Sequence, residues 1–279
     1  MSALVLEGGS LRPMFSCGVM DALLDNNIDF PYVIGVSAGI TDGVSYVSKQ
    51  KMRNYHITVD YRNDKRYLSL GNYLREGSIF GLKFLYEDIP QTILPFDWET
   101  YHANPAVVKV CVTNARTGKA EYLDGKLLDD KSTMLKATCA QPMLFPEIVM
   151  NGEAYYDGGI ADSIPAEKAL ADGHEKMLIV LTRPKGYVKT QSGKMVAAAK
   201  VIGRKYPALK EPLLNRYKKY NEQVKFCEEL EKSGKAIILR PTQDVQIGSL
   251  EKDVDKIKAI YEYGYKLASE RMDAIAKLL

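Results

Sequence analysis

The amino-acid sequence predicts an α/β fold: a parallel sheet with helices packed on its faces. Two observations carry this. The chain opens as strand, helix, strand, helix, the order that winds a parallel sheet. It also has 46% hydrophobic and 26% charged residues over 279 positions, enough for a sizeable core and unlike disordered, collagenous or coiled-coil chains.

Ala3–Glu7 is a short apolar run closed by Gly8-Gly9, the pattern of a buried strand. A helix is expected from Pro13, which suits a first helical position. Phe15, Val19, Ala22 and Leu23 follow at helical spacing, and Asp25-Asn26-Asn27 ends the run. Tyr32–Val36 reads as a second strand and Ala38–Val47 as a second helix. Residues 50–105 have no clean period, so helices and loops are expected there. Val107–Thr113 is strand-like, Gly118–Leu123 is its candidate partner, and Lys131–Ala140 reads as a helix. Between Glu147 and Tyr156, two strand-like runs flank Asn151-Gly152, a dipeptide suited to a tight hairpin. Pro165–Ala171 reads as a short helix capped by Asp162 or Ser163. Met177–Thr182 and Ala236–Arg240 read as further buried strands. Residues 251–279 read as one helix with an apolar stripe of Ile257, Tyr261, Gly264, Ala268, Met272, Ile275 and Leu279. The expected organisation is a core over 1–182 and a helical elaboration over 183–279 with one strand at 236–240, both in one compact domain.

Gly35-Val36-Ser37-Ala38-Gly39 matches G-x-S-x-G between a strand and a helix, the context that a nucleophile elbow requires. A strand turning sharply into a helix strains its central residue, and Gly35 and Gly39 remove side chains that would clash there. Ser37 is then presented at the carboxyl end of the sheet, over a helix N-terminus able to donate N–H groups to an oxyanion.

A serine nucleophile needs a base. The histidines are His56, His102 and His174. His174 follows Ser37 and Asp157 in the order of an α/β-hydrolase triad. However, it sits at a helix end just before a strand, at the end of a parallel sheet away from the site; it is expected to be a surface residue. His56 and His102 carry no motif. A carboxylate remains: Asp157 ends a strand, and Gly158-Gly159 after it lets another backbone approach. Near the N-terminus, Glu7-Gly8-Gly9-Ser10-Leu11-Arg12-Pro13 joins the first strand to the first helix. It fits neither a dinucleotide fingerprint nor a P-loop. If strands one and two are neighbours, this loop lies beside Ser37, where the N–H groups of Gly9 and Ser10, with Ala38, can form an oxyanion hole.

These three motifs, in this order and context, resemble those of the patatin-like phospholipases, with a Gly-rich oxyanion loop at 8–13, G-x-S-x-G at 35–39 and D-G-G at 157–159. Further similarity covers 113–118, 137–142, 162–165, 206–221 and the C-terminal helix, as in a bacterial subgroup with an extended C-terminus. The resemblance implies a three-layer α/β/α fold with a mostly parallel central sheet. It implies a Ser-Asp dyad with Ser37 as nucleophile and Asp157 as proton acceptor. It places the oxyanion hole at Gly8, Gly9, Ser10 and Ala38, supported by Arg12, Gly35, Gly39, Gly158 and Gly159. The implied reaction is hydrolysis of lipid acyl esters without metal or cofactor. Ser10 and Pro13 depart from the family's G-G-G-x-R-G. Competing readings are an esterase or thioesterase on soluble acyl compounds and a weakly active lipid-binding or regulatory protein.

Thirty-eight Lys and Arg against 35 Asp and Glu give a net charge of +3, and no nucleic-acid partner is expected. The balance conceals a segment, 183–219, with 11 basic residues and one acid. That segment is a candidate contact for an anionic membrane surface, with Ala197-Ala198-Ala199, Val201 and Ile202 as its apolar face. Cys17, Cys111, Cys139 and Cys227 have no metal or redox spacing and are expected to be buried thiols. With no basic leader or spanning apolar run, a cytoplasmic protein is expected, with peripheral contact at the membrane as the alternative.

Overall fold

The computed structural model describes residues 1–244 and 246–279. The strands are β1 (Ser2–Leu6), β2 (Tyr32–Val36), β3 (Val107–Asn114), β4 (Ala120–Asp124), β5 (Ile148–Met150), β6 (Glu153–Asp157), β7 (Lys176–Val180) and β8 (Ala236–Leu239). The helices are α1 (Met14–Asp25), α2 (Ala38–Val47), α3 (Arg53–Tyr61), α4 (Leu70–Glu76), α5 (Trp98–Ala103), α6 (Thr133–Thr138), α7 (Ala166–Ala171), α8 (Gly193–Lys205), α9 (Lys210–Lys232), α10 (Val254–Glu270) and α11 (Met272–Ala276). The unpatterned stretch also holds a π-helix, Phe84–Ile93.

All strands join one sheet in the order β5-β6-β3-β2-β1-β7-β8, with β4 against β3. The five strands from β3 to β8 run parallel, and β4, β5 and β6 add antiparallel pairs. Strand periodicity divides the core into two layers. Leu4, Leu6, Val33, Leu178 and Val180 face a cluster with Phe15, Val19, Ile40, Ile257 and Tyr261 of α1, α2 and α10. Ala3, Val5, Ile34, Met177 and Ile179 face Ala166, Ala169, Tyr220 and Cys227 of α7 and α9. Both faces are covered, which is the three-layer α/β/α arrangement.

One pairing detail positions the site. β4 pairs with β3 over Lys109–Thr113, so it fills one edge of that strand. β6, paired with Val112–Asn114, must take the other edge, which β2 holds over Val107–Cys111. β2 and β6 therefore run toward each other along one edge of β3, and their carboxyl ends meet. Val36 lies opposite Cys111 and Asp157 opposite Val112.

The hairpin forms at Asn151-Gly152 with φ values of 52° and 81°. The expected caps of 165–171 do not form: Pro165 occupies the cap position of α7, and neither Asp162 nor Ser163 caps it. The Asp162 carboxylate instead accepts from Tyr122 Oη (2.6 Å) and Gln223, and Ser163 Oγ donates to the Gly159 carbonyl. The C-terminal helix is also shorter than the expected 251–279. It starts after Asp253, whose carboxylate accepts from the N–H groups of Asp255 and Lys256, and it breaks at Arg271. That break rotates the stripe, so Leu278 is buried and Leu279 is exposed. α10 lies directly on α1, glycine to backbone. A Cβ on Gly18 would run into the Tyr261 carbonyl, and one on Gly264 into the Phe15 carbonyl.

His174 is buried rather than on the surface, its ring 4.0 Å from that of Tyr32. It precedes β7, whose Lys176 pairs with Ser2, so it lies at the amino end of the sheet, as expected. Burial holds its imidazole below the ordinary pKa. His56 pairs with Asp60 at 2.9 Å, and His102 stacks on Trp98. Among the cysteines, Cys139 differs from expectation in being only partly buried. Among the described residues, no helix is long and apolar enough to cross a membrane.

Candidate active site

Ser37 stands between β2 and α2 with φ 53° and ψ −138°. That conformation costs a non-glycine residue about 1–3 kcal/mol, so its surroundings must enforce it. Thr138 is one such restraint: its Oγ1 accepts the Ser37 N–H at 2.8 Å and donates to the Cys111 carbonyl. The neighbouring glycines admit backbone where side chains would clash. A Cβ on Gly8 would lie 2.9 Å from Ser37 Cβ, and one on Gly39 2.5 Å from the Glu7 carbonyl oxygen. Gly35 abuts Leu6, and Gly158 packs against Cys111 and Val36.

The Ser37 hydroxyl donates to Asp157 Oδ2 at 2.8 Å, and Asp157 Oδ1 accepts from the Gly159 N–H at 2.8 Å. The Ser37–Asp157 pair is buried, with Asp157 4% exposed. Burial raises the Asp157 carboxyl above the usual carboxylate range, and the positive charge of Arg216 opposes that rise. The strand itself is tied down, because the Asp157 N–H donates to the Ala140 carbonyl and Thr113 Oγ1 donates to the Asp157 carbonyl.

The loop at 8–13 lies beside Ser37 because β1 and β2 are neighbours. Among the described residues, no intramolecular acceptor takes the N–H groups of Gly8, Gly9, Ser10 or Ala38. Ser10 has φ 59°, the left-handed region that a third glycine would favour. Pro13 caps α1 with φ −59°, a position that asks for no N–H donor there. Arg12 folds back over the loop, its Nη2 2.9 Å from where a Gly9 Cβ would stand and its Nε 3.4 Å from Thr182 Oγ1.

A family model described as patatin-like phospholipase matches residues 4–170. The chain belongs to the patatin-like phospholipase family. A second model, described as a domain of unknown function (DUF6363), matches residues 206–279. The uncharacterized protein YjjU of Escherichia coli K12 is 24% identical over 196 residues, 65% of this chain and 52% of YjjU, so the chain spans about half the length of that relative. The crystal structure of VipD from Legionella pneumophila aligns over 98% of this chain and 66% of its own, with 11% identity and a TM-score of 0.46.

Within this patatin-like chain, Ser37 opens onto a largely apolar cavity lined by Leu11, Met14, Ile57, Phe80, Trp98 and Phe145, with Asp42 and Arg53 among its polar residues. Most of these come from the stretch 50–105 and from the loop after α6, where sequence period carried no signal. Cys139 lines the same cavity, its Sγ 3.9 Å from Ser37 Oγ and 3.3 Å from Thr41 Oγ1. Sequence reasoning attached no role to Thr138, although segment 137–142 stood out by resemblance. The expected apolar face of segment 183–219 is largely consumed inside the protein. Ala198 and Ala199 are buried and Ile202 packs on the same cluster, leaving Ala197 and Val201 exposed. Three cations of that segment, Arg183, Lys189 and Arg216, instead line a cavity that Ser37 and Asp157 share.

Proposed function

We propose that the chain is a serine acyl hydrolase that cleaves acyl esters of lipids. The observation that carries this reading is the 2.8 Å hydrogen bond to a buried carboxylate from Ser37 Oγ, whose residue also lines a largely apolar cavity. Asp157 takes the hydroxyl proton as Oγ attacks the ester carbonyl. The N–H groups of Gly8, Gly9, Ser10 and Ala38 are free to receive the oxyanion, and one such donor is worth about 3–4 kcal/mol of barrier. The alcohol or lysolipid leaves carrying that proton, and water activated by Asp157 then releases the acyl group from Ser37. The apolar cavity would hold the acyl chain, which favours lipid esters over small soluble ones.

The dyad leaves histidine outside the chemistry, in keeping with His174 lying at the far end of the sheet. Segment 183–279 is read as an elaboration of the same domain, because β8 extends the sheet and α10 lies on α1. Treatment with a fluorophosphonate probe tests the reading. Wild type should be labelled and should hydrolyse a lipid panel, Ser37→Ala should do neither, and His174→Ala should do both. Unlabelled wild-type protein would leave the lipid-binding, inactive alternative in its place.

A further inference from the structure

A second cavity adjoins the dyad and shares Ser10, Ser37, Gln141 and Ser249 with the apolar one, so the two meet at the nucleophile. Its chemistry is opposite. Arg12, Arg183, Lys189 and Arg216 line it, and Glu7 and Asp157 are the carboxylates among its lining residues. Both acids are already engaged. Asp157 is held by Ser37 and Gly159, and Glu7 Oε2 accepts the Thr182 N–H at 2.6 Å. Among the described residues, Arg12, Lys189 and Arg216 form no ion pair. Arg183 spends Nη1 on Asp244, and its buried Nε has no partner.

These cations are held in place. Lys189 Nζ sits 4.0 Å from the centroid of the Tyr220 ring, and both its backbone N–H and carbonyl bond to the Asn221 side chain, at 2.9 and 3.0 Å. The Arg183 guanidinium lies 4.5 Å from the centroid of Tyr187, which packs edge-on to Tyr220. Arg216 Nε donates to the Gly159 carbonyl. Burial first, and Arg216 next, push the Lys189 ammonium down to about 7. Like charges collected in a partly desolvated cleft leave it short of an anion.

We propose that this cavity is the headgroup subsite, built for a dianionic phosphate monoester, and that Arg183, Lys189 and Arg216 from the elaboration set that choice. Guanidinium forks suit phosphate oxygens, and an ammonium adds a point charge. A zwitterionic headgroup would bring its own cation among four others, a repulsive element against it. The assignment deepens the acyl hydrolase reading and rests on it for its place in catalysis.

Binding and turnover separate the two. Calorimetry on Ser37→Ala protein measures affinity for a 1-acyl glycerol 3-phosphate, for its phosphocholine counterpart and for inorganic phosphate. The phosphate monoester lipid should bind at least 10-fold tighter than either. Added Lys189→Met should cost that lipid 10-fold or more, and Lys189→Arg should restore most of it. With wild type, the kcat/KM ratio of diacyl glycerol 3-phosphate to diacyl phosphocholine should exceed 10 and fall at least five-fold in Lys189→Met. Equal binding of the two lipids overturns the subsite, as does inorganic phosphate binding as tightly as the lipid. If selective binding occurs without hydrolysis of any ester, the subsite stands and the hydrolase reading falls.

Discussion

Replacing Asp157 with Asn separates the base from the scaffold. Oδ1 of Asp157 accepts the Gly159 N–H at 2.8 Å, so the amide oxygen of Asn must take that place. Its NH2 then faces Ser37 Oγ and donates where the carboxylate accepted. The hydroxyl keeps its position but loses its proton acceptor. General-base assistance contributes about 10²–10⁴-fold, which corresponds to about 3–5 kcal/mol of barrier. Stability should move the other way. Asp157 has a raised pKa even with Arg216 opposing, so the site as a whole disfavours the charged form. A neutral isostere should therefore melt no lower than wild type above neutral pH. The assay is kcat/KM on a short-chain neutral ester at pH 8, with circular-dichroism melting in parallel. Less than a ten-fold loss of activity, or a loss matched by a collapse in melting temperature, refutes the reasoning.

Three further outcomes are expected. Neutral-ester kcat/KM should rise with pH through the raised pKa of Asp157 and level off above it. The Asp157 contribution to stability runs oppositely: a carboxyl raised in the folded state favours folding most below its unfolded pKa, and that contribution is lost as pH rises through the folded value. A pH–rate profile that stays flat from the carboxylate range up to alkaline pH would count against Asp157. Ser10→Gly relieves a left-handed residue and should raise the urea midpoint by up to about 1 kcal/mol of stability, with activity retained; a lowered midpoint would show that the Ser10 side chain holds the loop. Gly264→Ala forces a Cβ against the Phe15 carbonyl and should destabilise by about 1–3 kcal/mol in chemical denaturation. An unchanged midpoint would mean that α1 and α10 are not locked together.

The three motifs were legible because their information is local. A glycine two before Ser37, a strand before it and a helix after it are all read within a dozen residues. The hairpin at Asn151-Gly152 was legible for the same reason, since both turn positions demand positive φ. What failed was long-range. Thr138 reaches the Ser37 N–H across 101 positions, and although segment 137–142 stood out by resemblance, nothing in it pointed to that contact. His174 looked exposed because a helix end and a polar turn surround it, yet the Tyr32 ring covers it. The basic segment looked like an outward-facing contact for an anionic membrane surface. Composition could not show that Lys189 and Arg216 turn inward while Lys194 and Lys200 face water. The break at Arg271 left no Gly or Pro to read.

The head-to-head meeting of β2 and β6 has a consequence in time. Ser37 and Asp157 are far apart in the chain, yet Val36, the residue before Ser37, and Asp157 are registered against two consecutive residues of β3, Cys111 and Val112. During synthesis the elbow, the oxyanion loop and β3 all emerge before residue 157. Until the 148–157 hairpin docks along its edge of β3, Ser37 lacks the carboxylate to which its hydroxyl donates. On the proposed reading, that antiparallel pairing is the step that arms the hydrolase.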